Sequence, residues 1–109
     1  MFKCLWRFWS SQFNDKYKDE FEDIDKVHQT VENIQANVTQ NKDVIDAVMH
    51  TPDNAAITIE KVLGSEIIGY NNGNLELMKK FFDNKEFKDD LLRLVTARVM
   101  QAVFNQTGV

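Results

Sequence analysis

The chain has 109 residues, the size of one small domain, and 43% of them are apolar, which is enough to form a single hydrophobic core. Its formal net charge is −4, and this composition disfavours a general nucleic-acid-binding protein, which needs an excess of positive charge. Four glycines, one proline and many helix-favouring residues predict an all-α protein.

The cysteine content bears on the cellular compartment. Cys4 is the one cysteine, so an internal disulfide bond is excluded and a reducing compartment is favoured. No stretch reaches the roughly 18 consecutive apolar residues that a membrane-spanning helix needs. We therefore expect a cytoplasmic protein.

Residues 1–13, MFKCLWRFWSSQF, are aromatic and mildly basic. Their apolar residues recur at helical spacing: Phe2, Leu5, Trp6, Trp9 and Phe13. Aromatic side chains are strong anchors of protein interfaces, and beside Lys and Arg they also suit a membrane surface. Three placements stay open: packing within the chain, docking on a protein partner, or lying on a membrane. We predict a separate aromatic segment over residues 1–13 and treat these five residues as candidate partner anchors.

A regular apolar seam follows in residues 14–50. Its members alternate three and four residues apart: Ile24, Val27, Val31, Ile34, Val38, Asn41, Ile45 and Val48. The same frame extends back to Tyr17 and Phe13. This spacing predicts one long amphipathic, coiled-coil-like helix. The seam serves either packing within the chain or pairing with another chain, and Asn41 is a polar residue of the kind that fixes helix register.

Five acidic residues fall close together before the seam: Asp19, Glu20, Glu22, Asp23 and Asp25. Such a run can imitate the phosphate backbone of DNA and occupy a DNA-handling enzyme. It is also typical of a solvated helix start, where the helix dipole favours negative charge. An inhibitor role is therefore one alternative function.

Three shorter helices are predicted after the long one, over about residues 52–69, 74–82 and 84–105, so that residues 14–109 form a single helical domain. Thr51 is the predicted N-cap of the first, with Pro52 in its first turn. The sequence GYNNGN at residues 69–74 ends that helix, because Gly and Asn tolerate the left-handed backbone conformation.

The apolar faces of these helices follow the 3.6-residue helical period. In the first, the face consists of Ala55, Ile59, Val62, Leu63 and Ile67. In the last, it consists of Phe87, Leu91, Leu94, Val95, Arg98 and Ala102. Asp83 and Glu86 form a pattern similar to a capping box at the start of the last helix.

The sequence carries no pattern of catalytic or metal-ligating residues. His28 and His50 are far apart, and neither has another His or a Cys at ligand spacing. The glycine at NNGN lacks the Lys-Ser/Thr pair of a phosphate-binding loop. Residues 75–100 hold six basic and five acidic groups, which indicates a solvated surface rather than a nucleic-acid-binding face. We predict no enzymatic activity, no cofactor and no metal.

Residues 68–104 carry a further pattern: Tyr70, a Gly73-Asn74 turn, a helix with Glu76, Phe81 and Phe82, then Asp83, Phe87 and a Leu-rich last helix. This stretch, about a third of the chain, resembles the C-terminal helical tail of the R (motor) subunits of type I restriction endonucleases and related helicases. In that family the tail is all-helical and helps the motor subunit dock on the DNA-modification subunits. The chain has no Walker motif, DEAD or DEAH box, or nuclease cluster, so the resemblance implies assembly and no catalytic residue.

The leading functional prediction is a non-enzymatic helical interaction or assembly module, with a restriction or phage-defence complex as its setting. Its partner would be another protein or another copy, bound through helix packing. The alternatives are a peripheral membrane protein held by residues 1–13 and a small acidic inhibitor of a DNA-handling enzyme.

Overall fold

The structure is a computed structural model that describes the backbone of residues 2–69 and 75–106 and the side chains of residues 10–69 and 75–104. The described residues form six α-helices and two turns of 3₁₀ helix without a β-strand, which confirms the all-α class. The helices are α1 (Phe2–Tyr17), α2 (Ile24–Gln40), α3 (Lys42–His50), α4 (Ala55–Gly69), α5 (Leu75–Asp83) and α6 (Lys85–Gln106). The 3₁₀ turns are Lys18–Glu20 and Pro52–Asn54. Of the stop predicted at residues 69–74, residues 70–74 lie outside the described residues.

The single long helix predicted over residues 14–50 is not observed, and its first break follows Tyr17. After the 3₁₀ turn, Phe21 is extended, with φ −124° and ψ 146°. Asp23 then starts α2 by accepting a hydrogen bond from the backbone N–H of Lys26 at 3.2 Å. The aromatic residues predicted as a separate segment therefore belong to α1, which runs without a break across residue 13.

The second break is at Asn41, between α2 and α3. Its side-chain oxygen accepts hydrogen bonds from the backbone N–H groups of Asp43 at 2.9 Å and Val44 at 3.2 Å. Its own N–H donates to the Val38 carbonyl at 3.2 Å. Asn41 is therefore an N-cap, and the interpretation of it as a register-fixing seam residue is corrected.

The helices pack around a core centred on α2, α4 and α6, which contact one another pairwise. Helices α1 and α5 pack on α6, and α3 packs on α4 and α6. The buried part of the α2 seam consists of Val27, Val31, Ile34 and Val38, with Ile24 partly buried. In α3 the buried face is Val44, Ala47 and Val48, and Ile45 is partly buried. The seam thus faces the chain's own helices.

Two predicted N-terminal caps are not formed by the predicted residues. The Thr51 hydroxyl donates to the Ala47 carbonyl at 3.2 Å and so closes α3, while no side chain caps the 3₁₀ turn that begins at Pro52. Asn84, rather than Asp83, caps α6, because its side-chain oxygen accepts from the Phe87 N–H at 3.1 Å. In α6 the short polar side chain next to the expected one therefore satisfies a free N–H group of the first turn.

Among the described side chains, three ion pairs connect basic residues of α5 and α6 to acidic residues earlier in the chain. They are Lys80–Glu20 at 2.8 Å, Lys88–Glu60 at 2.9 Å and Arg98–Glu32 at 3.5 Å. Pairs this exposed contribute only about 0–1 kcal/mol each, so they orient the helices relative to one another more than they stabilise the fold.

Gly64 lies inside α4, and a methyl group added there would meet no atom within 4 Å. We expect Gly64→Ala to raise the free energy of unfolding by about 0.5–1 kcal/mol, because alanine restricts the unfolded chain and favours helix. The reverse change at an exposed position of the same helix, Ala56→Gly, should lower it by a similar amount. Thermal melting of both variants checks this; a Gly64→Ala protein that melts below the wild type would show that the glycine is needed.

Asn41→Ala should lower the free energy of unfolding by about 1 kcal/mol, because two backbone N–H groups of α3 lose their side-chain acceptor. Asn33, an exposed residue inside α2, is the matched control, and Asn33→Ala should be neutral or slightly stabilising. Urea unfolding at neutral pH measures both. Equal effects of the two changes would contradict the capping role.

Candidate interaction surface

Four aromatic rings fix α1 and the residues after it to the start of α6. The side chain of Phe87 is fully buried, and its ring centroid lies 4.9 Å from that of Tyr17, 5.4 Å from Phe13 and 5.6 Å from Phe21. Phe13 and Tyr17 are four residues apart and so lie on one face of α1, whereas Phe21 reaches Phe87 from the extended backbone after the 3₁₀ turn. Tilted and edge-on ring pairs contribute about 0.5–1.5 kcal/mol each beyond burial. This aromatic cluster therefore holds the C-terminal end of α1 in place.

A polar cluster lies next to the aromatic cluster. Asp90 accepts a hydrogen bond from the Tyr17 hydroxyl at 2.5 Å and from the Lys16 ammonium at 2.8 Å. Lys16 also lies 2.9 Å from a carboxylate oxygen of Glu86, and Arg93 lies 3.3 Å from the other oxygen of Asp90. Tyr17 is 2% exposed, so its hydroxyl needs a partner, and Asp90 provides it.

The pKa values of this cluster are shifted so that the contacts persist through the neutral range. Burial by itself raises the pKa of Asp90, but hydrogen bonds from Lys16 and Tyr17 outweigh burial and lower the pKa below its usual value. Burial and then the hydrogen bond to Asp90 raise the pKa of Tyr17 well above 10. Hydrogen bonds to Asp90 and then Glu86 raise the pKa of Lys16. At neutral pH the carboxylate and the ammonium are charged and the phenol is a neutral donor.

Beside these contacts, an open cleft of about 770 Å³ lies between α1 and α6. Its lining residues are Gln12, Phe13, Lys16, Asp89, Asp90, Leu92, Arg93, Leu94, Thr96 and Ala97. The rim charges are paired within the chain, since Asp89 also accepts from Lys85 at 2.7 Å. An apolar floor with a neutralised rim is suited to the apolar face of another helix.

The direction of α1 follows from the same contacts. Lys16 and Tyr17 meet the first turns of α6, while Gln12 and Phe13 line the cleft with later residues of α6. Helix α1 therefore runs antiparallel to α6. Of the five predicted anchors, Phe13 lies in the aromatic cluster. The side chains of Phe2, Leu5, Trp6 and Trp9 lie outside the described ones, although their backbone is part of α1.

A second surface is the outer side of α5, which we call the α5 face: Leu75, Lys79 and Phe82. Leu75 and Phe82 are each 52% exposed and, being seven residues apart, lie on one side of the helix. The acidic linker, defined as residues 18–25 and so including the first two residues of α2, contacts α5 beside this face. Glu20 pairs with Lys80 at 2.8 Å, and the backbone N–H of Glu22 donates to Glu76 at 3.3 Å. The remaining half-exposed large apolar residues among the described side chains are spread over other helices: Met49, Ile57, Ile68 and Phe104.

Sequence reasoning missed the polar cluster and the α5 face. Tyr17 was placed on the heptad frame, but nothing in the sequence pairs it with Asp90, 73 residues away. The seven-residue spacing of Leu75 and Phe82 was the available signal for the α5 face.

The described side chains contain no group of three or more His, Cys, Asp or Glu placed to hold a metal ion. His28 lies 4.0 Å from Glu32, and His50 ends α3. Within residues 2–69 and 75–106, no helix is both long enough and apolar enough to cross a bilayer. Comparison with family models, curated proteins and solved structures gave no match to the chain. The proposed function therefore depends on the surfaces of this chain alone.

Asp90→Asn should lower the free energy of unfolding at pH 7 by about 1–2 kcal/mol, because charged hydrogen bonds to Lys16 and Tyr17 are lost. Since folding lowers the Asp90 pKa, the stabilisation is present above its unfolded-state pKa of about 4 and is lost as the pH falls through the folded-state value. The difference between variant and wild type should therefore shrink from pH 7 to pH 3 in urea titrations.

The control is Asp89→Asn, which breaks only an exposed pair with Lys85 and should cost less than about 0.5 kcal/mol. If Asp90→Asn lowers the free energy of unfolding as much at pH 3 as at pH 7, the cause is packing rather than charge.

Proposed function

We propose that the protein is a non-enzymatic helical module that joins other proteins through apolar helix packing, and that α1 is its binding element. The attachment of α1 carries the proposal. The aromatic and polar clusters fix its C-terminal end on α6, and an open cleft lies beside it. The same helix bears four of the predicted anchors: Phe2, Leu5, Trp6 and Trp9.

The physics of binding favours such an element. A helix whose direction is fixed before binding loses less conformational entropy when a partner docks. Tryptophan and phenylalanine provide large contact areas and are enriched among residues that dominate binding energy. The cleft between α1 and α6 offers an apolar floor to a helix from the partner.

The resemblance of residues 68–104 to the tail of restriction motor subunits implies a role of the same kind. In this proposal the module works in a restriction or phage-defence complex, and its partner is another protein of that complex or another copy of the chain. The module supplies contacts and orientation, and the partner supplies any catalytic activity.

Both tryptophans of the chain, Trp6 and Trp9, lie in α1, so intrinsic tryptophan fluorescence reports on this helix alone. In dilute solution we expect both indoles to be quenched by acrylamide, because a binding element is accessible before it is bound. Copurification of the full chain from its native host, compared with a Trp6→Ala, Trp9→Ala variant, should show a partner that the variant loses. In the purified complex the indoles should be protected from acrylamide.

Two results would oppose the proposal. Indoles that are already protected in the dilute monomer would assign the aromatic residues to the chain's own core. Protection that appears only with vesicles of phosphatidylglycerol would favour attachment to a membrane surface. The single variants Trp6→Phe and Trp9→Phe assign the signal to each indole.

A further inference from the structure

We infer that α1 of one copy docks on the α5 face of a second copy, so that the protein self-associates. The inference rests on the proposed role of α1 as the binding element and identifies its partner as another copy of this chain. Three observations carry it: the apolar character of the α5 face, the charge beside that face, and the distance between the two ends of α1.

The α5 face presents apolar surface in a fixed position. Leu75 and Phe82 are both half-exposed on one side of α5, with Lys79 between them. The Phe82 ring is held by an edge-on contact with Phe81, whose ring centroid is 5.1 Å away and whose side chain is buried. Two apolar residues seven positions apart lie two turns apart on one side of a helix, which is a spacing at which a partner helix is contacted.

Negative charge borders the α5 face. Residues 18–25 contain five acidic side chains and one basic side chain, and contacts to Lys80 and Glu76 hold this linker against α5. Of the five acids, Glu20 alone forms an ion pair with a described residue. The surface therefore fits an aromatic segment that is basic.

The chain itself contains such a segment. Residues 1–13 carry Lys3 and Arg7, five aromatic residues and no acidic side chain. Charge complementarity thus selects α1 as the occupant of the α5 face. Aromatic residues of α1 would meet Leu75 and Phe82, and its basic residues would meet the linker.

Within one chain, the basic end of α1 lies away from the start of the acidic linker. Helix α1 is continuous from Phe2 to Tyr17, so at about 1.5 Å per residue Lys3 and Arg7 lie about 21 and 15 Å along its axis from Tyr17. The acidic linker begins directly after Tyr17, and charges in solvent are screened over about 8 Å at physiological salt. A second copy can bring its own basic end to this linker. Because each copy offers both surfaces, reciprocal docking closes a two-fold dimer.

Sedimentation equilibrium of the full chain over a wide concentration range measures the association. Leu75→Asp and Phe82→Asp should each weaken it by about tenfold or more, because a charge replaces a central apolar contact. The matched control is Ile57→Asp, which changes an apolar residue of α4 that is 69% exposed and should leave association unaltered.

A charge exchange tests the partner directly. One variant carries Lys3→Glu with Arg7→Glu, and the other carries Asp19→Lys with Glu22→Lys. Each alone should stay monomeric, because both of its reciprocal contacts become repulsive. A mixture of the two should associate at least as tightly as the wild type, because both contacts are attractive again.

The inference is overturned if the wild-type chain stays monomeric at every soluble concentration, or if the mixed variants do not associate. Acrylamide quenching separates this failure from failure of the proposed function. A monomer with accessible indoles removes only the second copy as partner, whereas a dilute monomer with protected indoles removes the binding role of α1 as well.

Discussion

The burial of Phe87 beneath α1 is the contact on which the placement of the first helix depends. A helix of 16 residues is only marginally stable in isolation, because its nucleation cost is repaid slowly by each added hydrogen bond. Phe13 and Tyr17 cover the Phe87 ring from α1, and Phe21 covers it from the linker. The tertiary contact therefore stabilises α1 and sets where it ends, since Phe21 must leave the helix to reach the same ring.

The polar cluster fixes the position of the contact between α1 and α6. Apolar rings tolerate small rotations and shifts, but the hydroxyl of a buried tyrosine requires an acceptor at hydrogen-bond distance. Asp90 accepts from both Tyr17 and Lys16, so the last turn of α1 must lie at the first turns of α6 to satisfy both donors. Tyr17 and Asp90 are little exposed, which makes the bond between them more specific than the surface ion pairs elsewhere in the chain.

The contact between α1 and α6 also determines how the two candidate interaction surfaces are related. Tyr17 ends α1, and the acidic linker that follows runs beside α5 through Glu20 and Glu22. The acidic linker therefore begins at the C-terminal end of α1, whereas Lys3 and Arg7 belong to its N-terminal part. Complementary groups that are covalently close but geometrically separated are a natural basis for contacts between copies.

The sequence by itself determined the helical class and the burial of many of the core residues. The period of the apolar residues predicted the inner faces of α2, α4 and the first part of α6, because the residues that a helix buries recur with the helical period. In the second part of α6 the buried residues are Val99 and Val103, and the predicted Arg98 and Ala102 are only partly buried. It did not determine where helices break. Asn41 fits both a polar seam residue and an N-cap, and only the path of the chain after it selects the cap.

Tertiary structure alone decided the contacts between α1 and α6 and the two candidate interaction surfaces. Lys16 and Asp90 are 74 residues apart, and no local pattern links a lysine to one particular carboxylate among many. The exposure of Leu75 and Phe82 likewise depends on which neighbours cover α5. Local periodicity encodes whether a residue faces inward, whereas the identity of its contacts depends on the arrangement of helices that are distant in sequence.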